Sequence, residues 1–248
     1  MRIDHPTGGE IYGLRQLWKE AFGDTDGFLD AFFSTGFSPE RCLYAGEGGT
    51  VAAALYWFHC SCDHKKIAYI YAVATDPDHR GKGLASRLMK QTHTRLKDLG
   101  YGGAVLKPAA GLFPFYERLG YETCGYITRF SADAADTPLP LRQITTDEYG
   151  RLRKSFLPEN GIIQEGITLE FLSTFASFHA YADALVCANV QEQVVFEYLG
   201  NPHSAPGILA AFGIKSAEIP TPGDEIPFAM WHPLNCTKMP GHLGITLE

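Results

Sequence analysis

The run YIYAVATDPDHRGKGLASRLM, Tyr69 to Met89, decides the fold. Ile67 to Thr75 is rich in β-branched and aromatic residues and reads as a strand, stopped by Asp76-Pro77. From Gly83 the period becomes helical. Ala85, Leu88, Met89, Thr92, Leu96 and Leu99 share one face, Arg87, Lys90, Arg95 and Lys97 take the other, and Gly100 is a fitting stop. Between strand and helix lies a tight turn with Gly81 and Gly83. Backbone N–H groups at such a helix start lack intrahelical partners and point at one spot, where the positive end of the helix dipole also lies. Glycines let a phosphate come close to that backbone. The segment is therefore an anion cradle suited to a pyrophosphate, with charge from Arg80 and Lys82 and a hydroxyl from Ser86.

Known phosphate loops differ in spacing. Nothing in the chain matches the triphosphate pattern G-x-x-x-x-G-K-[ST]. Gly81-Lys82-Gly83-Leu84-Ala85-Ser86 nearly meets the dinucleotide pattern. That fold requires an acidic residue ending the next strand, and here the strand ends at Lys107-Pro108. The pattern [RQ]-x-x-G-x-[GA] is met in full by Arg80-Gly81-Lys82-Gly83-Leu84-Ala85. Downstream, Phe115-Tyr116-Glu117-Arg118-Leu119-Gly120-Tyr121 forms a short helix closed by a glycine–aromatic pair. With these two signatures the chain resembles the GNAT superfamily of acyltransferases, over about residues 10–130.

The resemblance implies acetyl-CoA as acyl donor, its pyrophosphate held by Arg80, Gly81, Lys82, Gly83, Leu84, Ala85 and Ser86. It implies that main-chain groups of Val73, Ala74 and Thr75 pair with the pantetheine arm, and that the Val73 N–H holds the thioester carbonyl. It also implies that Tyr116 is the general acid facing the departing sulfur; read as a residue alone, Tyr116 is equally a core aromatic. Tyr69 and Tyr71, at i and i+2, share one strand face and either line the acceptor pocket or belong to the core. Two-unit relatives of the enhanced-intracellular-survival type feed their terminal carboxylate into the site, which nominates Glu248 for the substrate pocket.

Working outward, Ile11–Phe22 and a segment from about Thr25 to Gly36 read as helices, and Cys42–Ala45 and Val51 to about Cys60 as strands. A short strand is expected at Gly103–Leu106 and a short helix at Pro114–Leu119. Ser131–Pro140 is small, polar and proline-bearing, which suggests a linker. The expected plan is an acyl-CoA-binding domain (1–132), a linker (133–140) and a degenerate GNAT-like domain (141–248) without a second phosphate loop. The fold class is α/β (α+β): a central mixed, mostly antiparallel sheet flanked by helices, plus a smaller second α/β unit.

Composition fits an ordinary globular protein, with 45% apolar residues among 248. A net charge of −7 argues against a general nucleic-acid binder. No apolar run approaches membrane-spanning length, and six cysteines are too few for a disulfide scaffold, so a cytoplasmic location is expected. Metal is not expected: in His59-Cys60-Ser61-Cys62-Asp63-His64 the thiols are one residue apart, and the segment reads as a solvated turn. His93, His203, His232 and His242 lack diagnostic spacing and read as ordinary polar residues. The expected reaction is acetyl transfer from acetyl-CoA to a small-molecule amine, by a monomer or homodimer. A peptide-amine acetyltransferase and a non-catalytic acyl-CoA-binding regulator are the alternatives.

Overall fold

The computed structural model describes residues 1–247. They divide into two compact units; the first comprises Met1–Cys60, His64–Glu122 and Trp231–Lys238. The second comprises Ser61–Asp63, Thr123–Met230 and Met239 onward. No helix among the described residues is long and apolar enough to cross a membrane.

The first unit opens with strand β1 (Arg2–Asp4) and helix α1 (Ile11–Phe22), which buries Leu14, Leu17 and Trp18 and stops at left-handed Gly23. Helix α2 (Asp26–Ala31) starts where the Thr25 hydroxyl accepts the Phe28 N–H, then widens into a π-helical turn at Phe32–Gly36. Strands β2 (Cys42–Glu47), β3 (Thr50–Cys62) and β4 (Lys65–Thr75) follow. Asp63 and His64, at φ 51° and 61°, form the two-residue turn between β3 and β4. Cys60 and Cys62 are thus buried strand residues rather than turn residues, which narrows the expected solvated turn to its last two positions.

Helix α3 (Leu84–Asp98), strand β5 (Gly103–Leu106) and helix α4 (Phe113–Glu117) complete the sequential part. The strand order is β1-β2-β3-β4-β5, antiparallel at β1–β2 and β2–β3 and parallel at β4–β5. Val51 to Phe58 are all buried, the signature of a strand covered on both faces. Helix α1 packs on β4, and α3 packs on β2, β4 and β5.

The chain returns to this unit late. Trp231–Lys238 lies beside β5, with the N–H groups of Leu234, Asn235 and Cys236 each 2.9 Å from the Gly102 carbonyl. The Asn235 amide donates to the carbonyls of Lys97 and Tyr101, both at 2.9 Å.

In the second unit, β6 (Glu122–Asp133) pairs antiparallel with β12 (Ser216–Pro222), and β13 (Ile226–Pro233) lies on the other side of β6. A separate antiparallel sheet has the order β11-β10-β9-β7. Its strands are β7 (Arg142–Ile144), β9 (Ser177–Tyr181), β10 (Ala184–Asn189) and β11 (Val194–Gly200). The remaining elements are α5 (Thr146–Phe156), the short β8 (Ile163–Gln164), α6 (Ile167–Leu172) and α7 (Ala205–Phe212). Ser131 to Asp133 belong to β6. In the stretch expected to link the halves, the N–H groups of Ala134, Ala135 and Leu139 donate to Lys215, Pro206 and Gly207.

A charged pair sits inside this unit. Arg153 on α5 is fully buried and binds Glu197 of β11 through Nε and Nη2, at 2.7 and 2.8 Å. The Tyr149 hydroxyl donates to the same carboxylate at 2.7 Å, and Arg153 Nη1 donates to the Ile162 carbonyl at 2.8 Å. Burial alone would raise the Glu197 carboxyl, but the charge and hydrogen bonds of Arg153 outweigh it and hold it low. His242 lies beside the pair, 2% exposed, with neither ring nitrogen hydrogen-bonded among the described residues.

Candidate functional site

The loop from β4 to α3 is built by local chemistry. Asp76 accepts the Asp78 N–H and the His79 ring N–H, both at 2.9 Å, closing a 3-10 turn over Pro77–His79. The His79 bond, ahead of the backbone bonds, holds the Asp76 carboxyl below its ordinary range. The Asp76 N–H donates to the Ala52 carbonyl at 2.9 Å, tying the loop to β3. In the sequence Asp76-Pro77 marks only the end of the strand; an aspartate two residues before a turn N–H is the signal for the loop itself.

Gly81 and Gly83 both take φ 72°, a left-handed conformation costly for other residues. A Cβ at either position would meet nothing within 4 Å, so both face open space. No side chain caps α3 at Gly83, and Arg87 N–H is the first to bond back, to the Gly83 carbonyl at 3.0 Å. The N–H groups of Leu84, Ala85 and Ser86 precede that bond and remain for an external acceptor. Arg80 Nε donates to the Thr75 carbonyl at 3.1 Å, and Lys82 Nζ to the Asp78 carbonyl at 2.8 Å. Two exposed cations are therefore held on the same loop. This arrangement can bind a diphosphate.

Strand β4 changes character just before the loop. Its ladder with β5 pairs Ile67, Ala68 and Tyr69 with Gly103, Ala104 and Val105 and goes no further among the described residues, although β4 continues to Thr75. Ala72 sits at φ 48°, a strained conformation for alanine that requires support from its surroundings. Burial changes there: Ile67 to Tyr71 are all buried, while Ala72 and Val73 are both half-buried. Main-chain groups of Val73, Ala74 and Thr75 thus lie past the end of the β5 ladder, where an extended ligand can pair as a strand does.

Tyr116 lies on α4, 6% exposed, its ring edge-on to Phe115 at 5.0 Å and to Tyr121 at 5.6 Å. Tyr69 and Tyr71 are buried in an aromatic cluster. Tyr71 lies 5.5 Å from Trp18 and 5.7 Å from Phe58, and Tyr69 stacks on Phe58 at 6.5 Å. Glu248, nominated for the substrate pocket, lies outside the described residues.

Of the histidines read from the sequence as ordinary polar residues, His203 is exposed, whereas His93 and His242 are buried. His93 and His232, far apart in the chain, stack at 4.1 Å with an interplanar angle of 14°. His93 Nε2 is 2.9 Å from the Tyr121 hydroxyl. Burial, then the neighbouring His232, pushes His93 down to about 3 from 6.5; burial pushes His242 down to about 4. Both groups bind protons less readily folded than unfolded. The stability they contribute is full above pH 6.5 and is lost as pH falls toward 3–4. Each buried ring should cost about 2 kcal/mol between pH 7 and pH 5. Urea unfolding at those two pH values measures this, and equal stability would show that the rings reach solvent.

Residues 2–124 match the family model described as an acetyltransferase (GNAT) domain. No curated protein matches the sequence. Among solved structures, a GCN5-related N-acetyltransferase from Anabaena variabilis superposes with TM-score 0.74 at 15% identity, over 94% of this chain and 73% of that one. A GCN5-related N-acetyltransferase from Kribbella flavida gives 0.69 at 20% identity, over 94% and 72%. Eis1 from Mycobacterium abscessus gives 0.66 at 11% identity, over 95% and 74%. At these identities the likeness is one of fold.

Proposed function

The chain belongs, through residues 2–124, to the GNAT family of acetyltransferases, and from that premise we propose that it moves an acetyl group from acetyl-CoA directly to the amine of a small molecule. The observation that carries the donor site is the loop at Arg80–Ser86. Its glycines face open space, its helix start is uncapped, and two cations flank it. These features fit a pyrophosphate by charge, by hydrogen-bond direction and by room.

Acetyl-CoA supplies a thioester whose carbonyl carbon the amine attacks; the new C–N bond makes the amide, the C–S bond breaks to release CoA thiolate, and the amine gives up one proton to solvent. The protein's part is to hold and polarise. Arg80, Gly81, Lys82, Gly83, Leu84, Ala85 and Ser86 grip the diphosphate; Val73, Ala74 and Thr75 pair with the arm. The Val73 N–H donates to the carbonyl oxygen as negative charge gathers there. Tyr116 donates its phenolic proton toward the departing sulfur. Tyr69 and Tyr71 are candidates for the wall of the acceptor pocket, and Glu248 for a carboxylate within it. The division into 1–132 for the donor and 141–248 as a degenerate companion is part of the same reading.

The test is a panel of amines with thiol release as readout, beside thermal melting with acetyl-CoA. Acetyl-CoA at a hundred times its Kd should add about 2.7 kcal/mol of stability. Stabilisation by a nicotinamide dinucleotide in its place would overturn the donor site. Faster thiol release with a peptide amine than with every small amine would overturn the acceptor class.

A further inference from the structure

We propose that Tyr121 and His93 are positioning residues that fix the direction of the Tyr116 hydroxyl, with His232 as their backstop. The inference rests on the reading of Tyr116 as the acid.

Helix α4 spans only Phe113–Glu117, too short to hold a side chain's direction by its own stability. Its C-terminus is closed by the chain that follows. The Gly120 N–H donates to the Glu117 carbonyl at 2.9 Å, and the Tyr121 N–H donates to the Tyr116 carbonyl at 3.1 Å. With Gly120 at φ 83° this is the Schellman arrangement, in which the residue after the glycine packs on the residue whose carbonyl it binds. The partners here are Tyr121 and Tyr116, rings 5.6 Å apart at 70°. Tyr121 therefore packs on Tyr116 from outside the helix, beside the helix neighbour Phe115.

Tyr121 is itself fixed. It is buried, and its hydroxyl meets His93 Nε2 at 2.9 Å. His93 is on α3, the helix whose first turn forms the diphosphate loop. His232 lies flat against His93 at 4.1 Å, and its Nδ1–H donates to the Gly120 carbonyl at 2.9 Å. One path thus runs from the donor-binding helix through His93 and Tyr121 to Tyr116. Packing alone would be served by phenylalanine at 121 and leucine at 93, without the cost of burying a phenol and an imidazole. What the polar pair adds is direction. His93 stays neutral down to about pH 3, so the bond has one form across any working range.

The experiment is a double-mutant cycle on the full chain, with thiol release and acetyl-CoA titration as readouts. Tyr121→Phe and His93→Leu should each lower kcat about tenfold or more, with acetyl-CoA affinity within about twofold, because a small misplacement of a reacting group is costly. His93→Gln, whose amide can still bond the phenol, should recover most of the rate. In a Tyr116→Phe background, Tyr121→Phe should have no further effect; a purely structural role would slow both backgrounds alike and would overturn the proposal. Unchanged kcat in Tyr121→Phe and His93→Leu, with Tyr116→Phe slow, also overturns it. An unaffected Tyr116→Phe variant would instead remove the reading of Tyr116 as the acid. If Tyr121→Phe does not fold, the contrast between His93→Leu and His93→Gln in the two backgrounds decides the matter.

Discussion

Tyr116→Phe should slow turnover about 10²- to 10⁴-fold, the usual range for a lost general acid, while acetyl-CoA binds as before. The substitution keeps the ring, so the edge-on contacts with Phe115 and Tyr121 survive and folding is spared. Only the hydroxyl goes. A phenol of pKa ~10 can hydrogen-bond a thiolate whose conjugate acid lies near ~8.5, and needs no complete proton transfer. On the proposed role the loss belongs in kcat rather than in donor affinity, because the hydroxyl would meet the sulfur only as the bond breaks. Steady-state kinetics beside calorimetric titration separate the two. A kcat within twofold of the parent would remove Tyr116 from the chemistry.

The second large effect concerns stability. Glu197→Ala should destabilise the second unit by about 3–5 kcal/mol, because it leaves the Arg153 guanidinium buried without its counter-charge. Arg153 would keep the Ile162 carbonyl and a longer bond to Leu243, which satisfy N–H groups but neutralise nothing. The Tyr149 hydroxyl would lose its acceptor as well. Replacing both partners, Arg153→Met with Glu197→Leu, should recover most of the loss, since an apolar pair has no charge to desolvate. Urea unfolding reads both variants. A loss below about 1 kcal/mol in Glu197→Ala would mean that water reaches Arg153 when its partner is removed.

The first half was legible because its signals are local. The strand, glycine turn and helix from Ile67 to Leu99 each carry their own periodicity, and the helix found, Leu84–Asp98, differs only at its ends. In the second half, α7 and the strands β10, β11 and β13 are apolar runs that a sequence displays directly. Helix α5 is not: Arg153 sits where an apolar residue would mark the inner face, so the charged pair erases the pattern it stabilises. Strand β12 hides for another reason, since Ser216–Pro222 contains prolines and its partner β6 lies far back in the chain. The candidate site divides in the same way. The diphosphate loop is a contiguous word, whereas the His93–His232 stack joins residues that no spacing rule connects. Even the Ala72 kink, which lies inside the decisive run, is a backbone angle that alanine's identity does not announce.

The late return of Trp231–Lys238 bears on how the molecule can be made. Synthesis proceeds from the N-terminus, so the segment that covers β5 leaves the ribosome only after residues 107–230 have been made. Until then the Gly102 carbonyl lacks the donors it holds in the finished protein, and one edge of a largely apolar sheet stays open to other chains. The first unit is therefore incomplete while residues 123–230 are being translated, and a chain truncated before Trp231 should expose that edge and aggregate more readily than the full chain.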